Sequence, residues 1–528
     1  MSLLVSLCLL SSLEVSAEPG APRWLDSVPP PTTIHVNVQH PQASNNHTGL
    51  DENSPLKSLA SALKIAIHNR KKGKGTKVLI YPGTYRESLS LMFEKQSEGM
   101  VPIMLLAKEP GKSIISGSDI WSDWRQDRGD TFSHEWPYKW GLRPVPGGWP
   151  AHLNVSEIVR RREMVFANGT PLKQVLAFAE IQPNTFFINE LNRKIYIKLT
   201  KNMPVSKTTI EVAVRSSLLR VSRVENFIMK GLKFQHDTTG LQGAAVRITS
   251  SRNILIKDCE FSLNNWAGLG LSRVENVTTN RNIMNHNGAV GWIGIWIKNL
   301  VSLNDETSYN NWRGEAGGFL RWAVAGLKHL HVHQAIYKGH KAVENLTRGF
   351  WLDTDNSQIQ VMEACWCKNL TDGAFLELSP GPIMIKQSTI CHNKANGVLG
   401  NTASQITLQN NQFVNNQKNQ ILVTGAIQRK AVNWETKKGI TVYATNWKIE
   451  NNDFQTQKSL LFSVPPWKHF LDSFSATDNH WMKGGQERSV ELGGKAMTLP
   501  QWEVETGVKL VTKMTEKSAR TKSLPTCQ

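Results

Sequence analysis

A short pattern recurs through the second half of the chain, with several neighbouring copies 23 or 24 residues apart. Each copy has apolar residues at its first and third positions and a polar residue at its fifth. An aromatic or apolar residue follows at the eighth position and Asn at the eleventh. Clear copies begin at Phe227, Ile254, Val277, Ile359, Ile383, Ile406 and Trp447, and weaker ones at Val301 and Leu330. Periods of 20 to 50 residues are typical of solenoids. Strand-like alternation without helical periodicity favours an all-β fold, a parallel β-helix.

Asn ends several copies of the pattern, among them those that finish at Asn287, Asn369, Asn393 and Asn416. Its side chain tolerates unusual backbone angles and hydrogen-bonds to nearby backbone. We therefore expect a ladder of stacked turns. Asn369 also belongs to an Asn-x-Ser/Thr sequon, and a glycan there would clash with the stacking.

Two acidic residues occupy the same position in successive copies. Asp353 lies six residues before Ile359, and Glu377 lies six residues before Ile383. Parallel strands stack about 4.7–4.9 Å apart, so we expect the two carboxyl groups about 5 Å apart on one face. Retaining glycosidases use a separation of about 5–5.5 Å between nucleophile and acid/base.

Strand alternation predicts which neighbours share that face. If Leu352 and Leu376 point inward, the outward side chains are Trp351, Asp353, Asp355, Phe375, Glu377 and Ser379. We expect an exposed acid pair flanked by rings on which a sugar could stack. Asp355 could hold a sugar hydroxyl, tune Asp353, or ligate calcium.

The segment at residues 311–322 is polar, aromatic and Gly-rich, and it interrupts the repeat shortly before Asp353. Loops that interrupt a rigid scaffold often carry binding residues. Glu315, Arg321 and Trp322 are therefore candidates for substrate binding, and His340 could reach the same cleft. We predict no metal site and no cofactor.

Three histidines alternate at His329, His331 and His333. Same-face neighbours on a strand lie about 6.6 Å apart at the backbone, so three would not share one ion without strain. We interpret them as a surface face.

Changes in composition predict five segments. These are a signal peptide at 1–17, an N-terminal cap with a short helix and first coils at 18–120, an inserted antiparallel β module at 121–215, the β-helix with the acidic coils at 216–456, and a C-terminal cap with a basic tail at 457–528. The apolar start followed by Val-Ser-Ala predicts a secreted or periplasmic protein.

The formal net charge of +18 favours a polyanionic partner. An anionic polysaccharide or oligosaccharide fits better than nucleic acid, because no nucleic-acid-binding motif is present. No internal stretch is long and apolar enough to span a membrane.

Five cysteines remain beyond the leader, and this odd number spread along the repeats predicts no disulfide framework. Cys259 aligns with small residues in other copies and is predicted to fill the core.

Three motifs carry a family resemblance: Gly-Thr-Tyr-Arg-Glu at 83–87, Gly-Phe-Trp-Leu-Asp at 349–353 and Phe-Leu-Glu at 375–377. Together with the inserted module, they resemble the right-handed parallel β-helix glycosidases of glycoside hydrolase family 120, the β-xylosidases. The resemblance implies that Asp353 is the nucleophile and Glu377 the acid/base. The chain departs from the family pattern at 354–356 and 378–380, which leaves the sugar open.

The first hypothesis is a secreted retaining glycoside hydrolase acting on plant or algal polysaccharide or its oligosaccharides. A calcium-dependent polysaccharide lyase or epimerase is the alternative, with Arg or Lys as the base and Asp353 and Asp355 holding calcium. A non-catalytic carbohydrate-binding protein of the same fold is a third.

Overall fold

The chain forms a parallel β-helix in which successive coils stack on one another. The computed structural model describes residues 31–94, 101–456, 458–482, 489–510, 513–514 and 527. Each full coil contributes a strand to each of three faces. Four strands run from the first face into the second: Ala244–Lys257, Ala267–Asn280, Val290–Leu303 and Ala325–Lys338.

The other strands of the three faces are shorter. The first face contains Leu89–Met92, Leu219–Ser222, Phe350–Leu352, Ala374–Glu377, Val398–Asn401, Asn419–Thr424, Leu460–Val464 and Val490–Leu492. The second contains Thr32–Val36, Thr76–Ile80, Ile103–Ala107, Glu225–Lys230, Ser357–Met362, Ile383–Lys386, Ile406–Gln409, Trp447–Glu450 and Ser475–Thr477. The third contains Gly83–Tyr85, Ser113–Ser116, Leu232–Gln235, Glu260–Ser262, Lys341–Val343, Cys365–Cys367, Thr389–Cys391, Gln412–Val414, Asp453–Gln455, His480–Met482 and Lys513–Met514.

The repeated apolar positions line the interior, as the alternation predicts. Ile359 pairs with Ile383, which pairs with Ile406, which pairs with Trp447. All four side chains are buried in one continuous core. Apolar side chains at equivalent positions of successive coils lie one strand spacing apart and exclude water from the interior. Their burial provides the main apolar stabilisation of the fold.

A ladder of asparagine side chains runs along one corner of the helix, as predicted. Asn345 donates to Asn369, Asn369 to Asn393, and Asn393 to Asn416, with Nδ2 to Oδ1 distances of 2.7–2.9 Å. These side chains are buried. Each one also satisfies backbone groups of the neighbouring turn, so the ladder holds the coils in a single register. Burial of Asn345 and Asn369 makes a glycan at either sequon incompatible with this packing.

A helix at Leu59–Lys71 packs on the N-terminal coils through Leu59, Leu63 and Ala66. Ser58 caps it, since its side chain accepts a hydrogen bond from the Ser61 backbone N–H. The predicted capping helix is therefore present. Within the described ranges, the other α-helices are short and lie at Glu157–Arg160, Trp312–Ala316, Lys468–Leu471 and Leu499–Thr506.

The predicted antiparallel module is inserted between coils and has its own hydrophobic cluster, which includes Trp136, Val165, Phe186 and Ile197. The expected hairpin pairs Thr185–Asn189 with Lys194–Lys198. The remaining strands of the module are Ser118–Ile120, Arg125–Arg128, Thr131–Glu135, Val165–Ala167, Thr170–Pro171, Lys173–Gln174 and Ile210–Ala213. Two 3₁₀ turns lie at Phe178–Glu180 and Val205–Lys207.

Parallel pairing continues past the predicted last copy near residue 456. Phe462 pairs with Ile421 on one side and with Val490 on the other. A strand at Lys495–Met497 then pairs antiparallel with Val490–Leu492. The coils therefore extend into the segment expected to be only a cap, because the later copies are too short and irregular to show the pattern.

The prediction of no disulfides is wrong. Cys367 is bonded to Cys391 and Cys365 to Cys527, with Cα separations of 4.5 and 5.7 Å. The third-face register places Cys367 directly opposite Cys391, at a spacing that suits a disulfide. The odd count arises because Cys259 is free and buried in the core, as predicted.

Replacing Asn393 by Ala should lower the free energy of unfolding by about 3 kcal/mol, because it leaves several buried polar groups of the ladder without partners. Its side chain bonds to Asn369, Asn416 and the Trp366 carbonyl. Urea unfolding measures the change. Lys394→Ala, on the exposed neighbour, is the control and should change stability little; an equal, small loss in both variants would contradict a structural role for the ladder.

Candidate active site

The two acidic residues lie at equivalent positions on adjacent coils. Trp351 pairs with Phe375 and Leu352 with Leu376, so Asp353 and Glu377 follow at the same point of the first face. Leu352 and Leu376 are buried in the core, as the alternation requires. The expectation of an exposed pair is wrong, however: the two side chains are only 15% and 18% exposed.

Asp353 is held by a lysine and by the residue that follows it. Lys328, one coil earlier, places Nζ 2.8 Å from Oδ2. The Thr354 backbone N–H and hydroxyl donate to Oδ1 at 2.7 and 3.0 Å. Burial alone would raise the pKa of Asp353, but the Lys328 charge and these hydrogen bonds outweigh it and hold the pKa below its usual value.

The pKa of Glu377 is shifted in the opposite direction. Its pKa is raised by burial and then by the negative charge of Asp353, against the lowering effect of Arg429. Arg429 lies 3.1 Å from Oε1 and also donates to Asn401, the next residue in the same row. The pair therefore favours an ionised Asp353 beside a protonated Glu377, the division of roles that acid and nucleophile require.

The rings expected to flank the acids are present but covered. Trp351 and Phe375 lie 5.2 Å apart between ring centroids and pack with Ala325 and Leu399 on the outer side of the first face. Both are buried. Lys328 Nζ lies 3.2 Å from the Trp351 centroid, so a charged side chain occupies space that a stacked sugar would need.

Asp355 does not share the face of Asp353. It has φ +59° and is fully buried, because the left-handed residue turns the chain at the corner between the first and second faces and breaks the alternation. Its Oδ2 lies 3.1 Å from His331 Nδ1 and 3.3 Å from His333 Nε2, and it accepts from the Trp434 backbone N–H at 2.9 Å. The expectation that Asp355 contacts substrate is wrong.

This corner anchors a hairpin, Gln428–Val432 with Gly439–Tyr443, that the sequence reading missed. Glu435 in its turn lies 2.5 Å from both His333 Nδ1 and Lys298 Nζ. Burial lowers the pKa of His333, but Asp355 and Glu435 outweigh burial and raise it. The same hairpin carries Arg429 to Glu377.

The remaining histidine predictions also need correction. His340 lies inside the helix, where Nε2 contacts Thr307 Oγ1 and Nδ1 accepts from Trp366 Nε1, both at 3.1 Å. It is fully buried, so it does not reach the cleft. His329 is also buried and contacts the Tyr337 hydroxyl at 2.7 Å. Only His331 and His333 of the three lie at the outer corner.

The interrupting segment forms a short helix at Trp312–Ala316 and a loop. Glu315, Arg321 and Trp322 are exposed. Of these three, Arg321 lies close enough to Arg348 to lower its pKa, and Arg348 in turn lies beside the acid pair. A role in substrate binding for Glu315 and Trp322 stays a prediction.

The sequence did not predict Lys328, Arg348 and Arg429 as site residues, although it contains features that point to each of them. The copies beginning at Ile406 and Trp447 are 41 residues apart, and this excess over one coil corresponds to the hairpin with Arg429. Lys328 pairs with Trp351 and so belongs to the outward row of the first face. Arg348 directly precedes the Gly349 that begins the acidic motif. The spacing could have indicated an insertion here, but not where its side chains would point.

Two cavities lie near aromatic residues. One of about 500 Å³ lies beside the hairpin and is lined by Arg273, Trp296, His331 and Trp434 among others. Another of about 920 Å³ lies in the inserted module and includes Trp121 among its lining residues. Neither cavity is lined by Asp353 or Glu377, so the acid pair itself marks the candidate site.

Residues 192–413 match the family described as "Right handed beta helix region". This match and the parallel stacking of the coils together confirm the expected fold class, a right-handed parallel β-helix. No curated protein matches the sequence.

Solved structures of the same fold include carbohydrate-active proteins. The structure of XylC in complex with xylose has a TM-score of 0.65 at 14% identity, covering 88% of this chain and 86% of that chain. A glycoside hydrolase has a TM-score of 0.52 at 11% identity, covering 91% and 99%. The A-module of the Azotobacter vinelandii mannuronan C-5 epimerase AlgE4 has a TM-score of 0.50 at 14% identity, covering 87% and 97%. At these identities the likeness shows the fold alone.

Within the part of the chain described, no helix has the length and apolar character needed to cross a membrane.

Replacing Asp355 by Ala should release the hairpin, because it removes the acceptor of the Trp434 N–H and the partner of both corner histidines. Hydrogen exchange of residues 428–443 measures the effect, and we expect at least about tenfold faster exchange, given the loss of a buried charged partner. Asp472→Ala, on an exposed acid, is the control. Unchanged exchange in Asp355→Ala would show that the corner network does not hold the hairpin.

Proposed function

We propose that this protein is a retaining glycoside hydrolase in which Asp353 is the nucleophile and Glu377 the acid/base. The observation that carries the proposal is that two carboxyl groups at equivalent positions of adjacent coils have pKa values shifted in opposite directions. Lys328 favours the ionised form of Asp353, whereas burial and Asp353 itself favour the protonated form of Glu377. The 14%-identity likeness to XylC supports the proposal at the level of the fold.

The two groups have complementary tasks in such a reaction. Asp353 attacks the anomeric carbon while Glu377 donates its proton to the leaving oxygen, which gives a covalent glycosyl-enzyme. Glu377, now ionised, takes a proton from water as that water attacks the anomeric carbon and displaces Asp353. The anomeric configuration is retained, since each step inverts it once.

The substrate proposed is a plant or algal polysaccharide or its oligosaccharides, with a xyloside as the first sugar to test. The departures from the β-xylosidase pattern lie at residues 354–356 and 378–380. In the structure these residues form the corner after each acid. Thr354 bonds to Asp353, and Ser379 Oγ donates to the Asp353 carbonyl at 3.0 Å, so the departures help to position the nucleophile.

The calcium-dependent alternative is less well supported. It required Asp353 and Asp355 to hold one ion together. Asp353 is instead paired with Lys328, and Asp355 lies at the corner with His331 and His333. This arrangement does not present two carboxylates to a common cation.

We also propose that the protein is secreted or periplasmic. The leader expected at 1–17 lies outside the described residues. The disulfides Cys367–Cys391 and Cys365–Cys527 support the proposal, because such bonds persist in oxidising compartments.

Replacing Glu377 by Gln should lower kcat on substrates with poor leaving groups by about 10²–10⁴-fold, the usual contribution of general acid catalysis. Aryl glycosides with activated leaving groups need no proton for glycosylation and should lose much less in that step. Burst kinetics and a comparison of a xylo-oligosaccharide with a dinitrophenyl xyloside measure the difference. Glu363→Gln is the control, because Glu363 directly follows the second-face strand Ser357–Met362 and its side chain is 46% exposed. Equal losses on both substrates would argue against an acid role for Glu377.

The pH profile of kcat/KM should be bell-shaped, because activity requires ionised Asp353 and protonated Glu377. Activity rises as the pH passes upward through the lowered pKa of Asp353 and falls as it passes through the raised pKa of Glu377. Arg429 lowers the pKa of Glu377, so Arg429→Met should raise it and move the alkaline limb to higher pH.

Arg281→Met provides the control for this profile, because Arg281 pairs with Asp258 through a 2.8 Å contact elsewhere on the helix. An alkaline limb that stays in place in Arg429→Met, or moves equally in both variants, would exclude Glu377 as the group that titrates there.

A further inference from the structure

Arg348 is a buried arginine whose side chain makes no hydrogen bond within the part of the chain that the structure describes. Its guanidinium carbon lies 4.4 Å from the ring centroids of both Trp351 and Phe375. Nε is buried and has no hydrogen-bond partner. The charged group that pairs with it is Asp372, at a distance of 4.0 Å from NH2, which is longer than a hydrogen bond.

Such an arrangement is unfavourable by itself. A buried guanidinium needs hydrogen bonds to compensate for the water it has lost, and the faces of two rings compensate only in part. Asp372 is itself engaged, since its Oδ1 accepts from Asn396 Nδ2 at 2.7 Å. Burial is accordingly the main reason that the pKa of Arg348 is lowered. The structure therefore keeps a poorly satisfied cation beside the candidate active site.

The surroundings of Arg348 are rich in positive charge. Lys328 and Arg429 contact the two catalytic acids, and Arg321 is near enough to act on Arg348 electrostatically. Together with Arg348 they make four cations, against the three acids Asp353, Glu377 and Asp372, and the environment of Glu377 favours its neutral form. A neutral sugar would leave this excess of positive charge uncompensated.

We propose that Arg348, with Arg321 beside it, binds an oxyanion carried by the substrate sugar, so that the enzyme prefers an acidic glycoside over a neutral one. The proposal rests on the function proposed above and names the substrate class of the same site. A carboxylate or a sulfate fits the donors of a guanidinium, which matches planar oxyanions with two parallel hydrogen bonds. The uncharged xyloside would then be a poor substrate.

Isothermal titration calorimetry with free sugars tests recognition without requiring turnover. D-glucuronate, D-galacturonate and galactose 6-sulfate are compared with D-glucose, D-galactose and D-xylose on the full chain. We expect at least one acidic sugar to bind about tenfold or more tightly than its neutral counterpart, consistent with a charge-assisted hydrogen bond. The carboxylate and sulfate probes distinguish the two sources of the oxyanion.

Four variants test whether the preference depends on Arg348. Arg348→Met should abolish it, and the exposed Arg321→Met should weaken it without affecting the buried site. Arg281→Met should leave it unchanged. Arg348→Lys retains the charge but not the paired donors, so it should retain part of the preference if Arg348→Met proves too unstable to measure.

Absence of any preference for the acidic sugars, including absence of all binding, overturns the proposal, as does a preference that survives in both Arg348→Met and Arg321→Met. The hydrolase proposal can stand or fall separately. Hydrolysis of neutral aryl glycosides with no preference for their acidic counterparts would remove the anion site and keep the hydrolase. Cleavage of a polyuronate to an unsaturated product would keep the anion site and remove the hydrolase.

Discussion

Stacking of the coils in one register is the constraint on which the rest of the structure depends. The buried asparagine ladder through Asn345, Asn369, Asn393 and Asn416 satisfies the turns, and an apolar column fills the interior. Slippage of one coil would leave buried amides without partners and put polar side chains in the core. The same register brings together two acids that are 24 residues apart in sequence, so the candidate site depends on the ladder for its geometry.

Asp353 and Glu377 would repel each other if both were ionised. This repulsion helps to raise the pKa of Glu377. Lys328 lies on one side of the pair and stabilises the Asp353 carboxylate, while Arg429 reaches Glu377 from an inserted hairpin. The cations are thus supplied asymmetrically, one from the rigid sheet and one from a separate loop. Two carboxyl groups at equivalent backbone positions therefore have pKa values shifted in opposite directions.

The parts of the fold and of the site that the sequence predicts are those that depend on the periodicity of the repeat. Ile359 and Ile383 show the spacing and direction of the coils, which was enough to place Asp353 beside Glu377. Periodicity fails at corners, where a left-handed residue such as Asp355 turns its side chain away from the expected face. It also says nothing about insertions, whose side chains approach from outside the repeat, and so Arg429 could not be placed.

The disulfide between Cys365 and Cys527 has a consequence for how the molecule comes apart. A solenoid has only nearest-neighbour contacts, so its terminal coils can fray one at a time. This bond ties the last described residue of the chain to a coil 162 residues earlier. The coils between the two cysteines include the one that carries Glu377, and they cannot peel away freely from the C-terminal end while the bond is intact. The coils near Cys527 are therefore expected to separate together with those near Cys365.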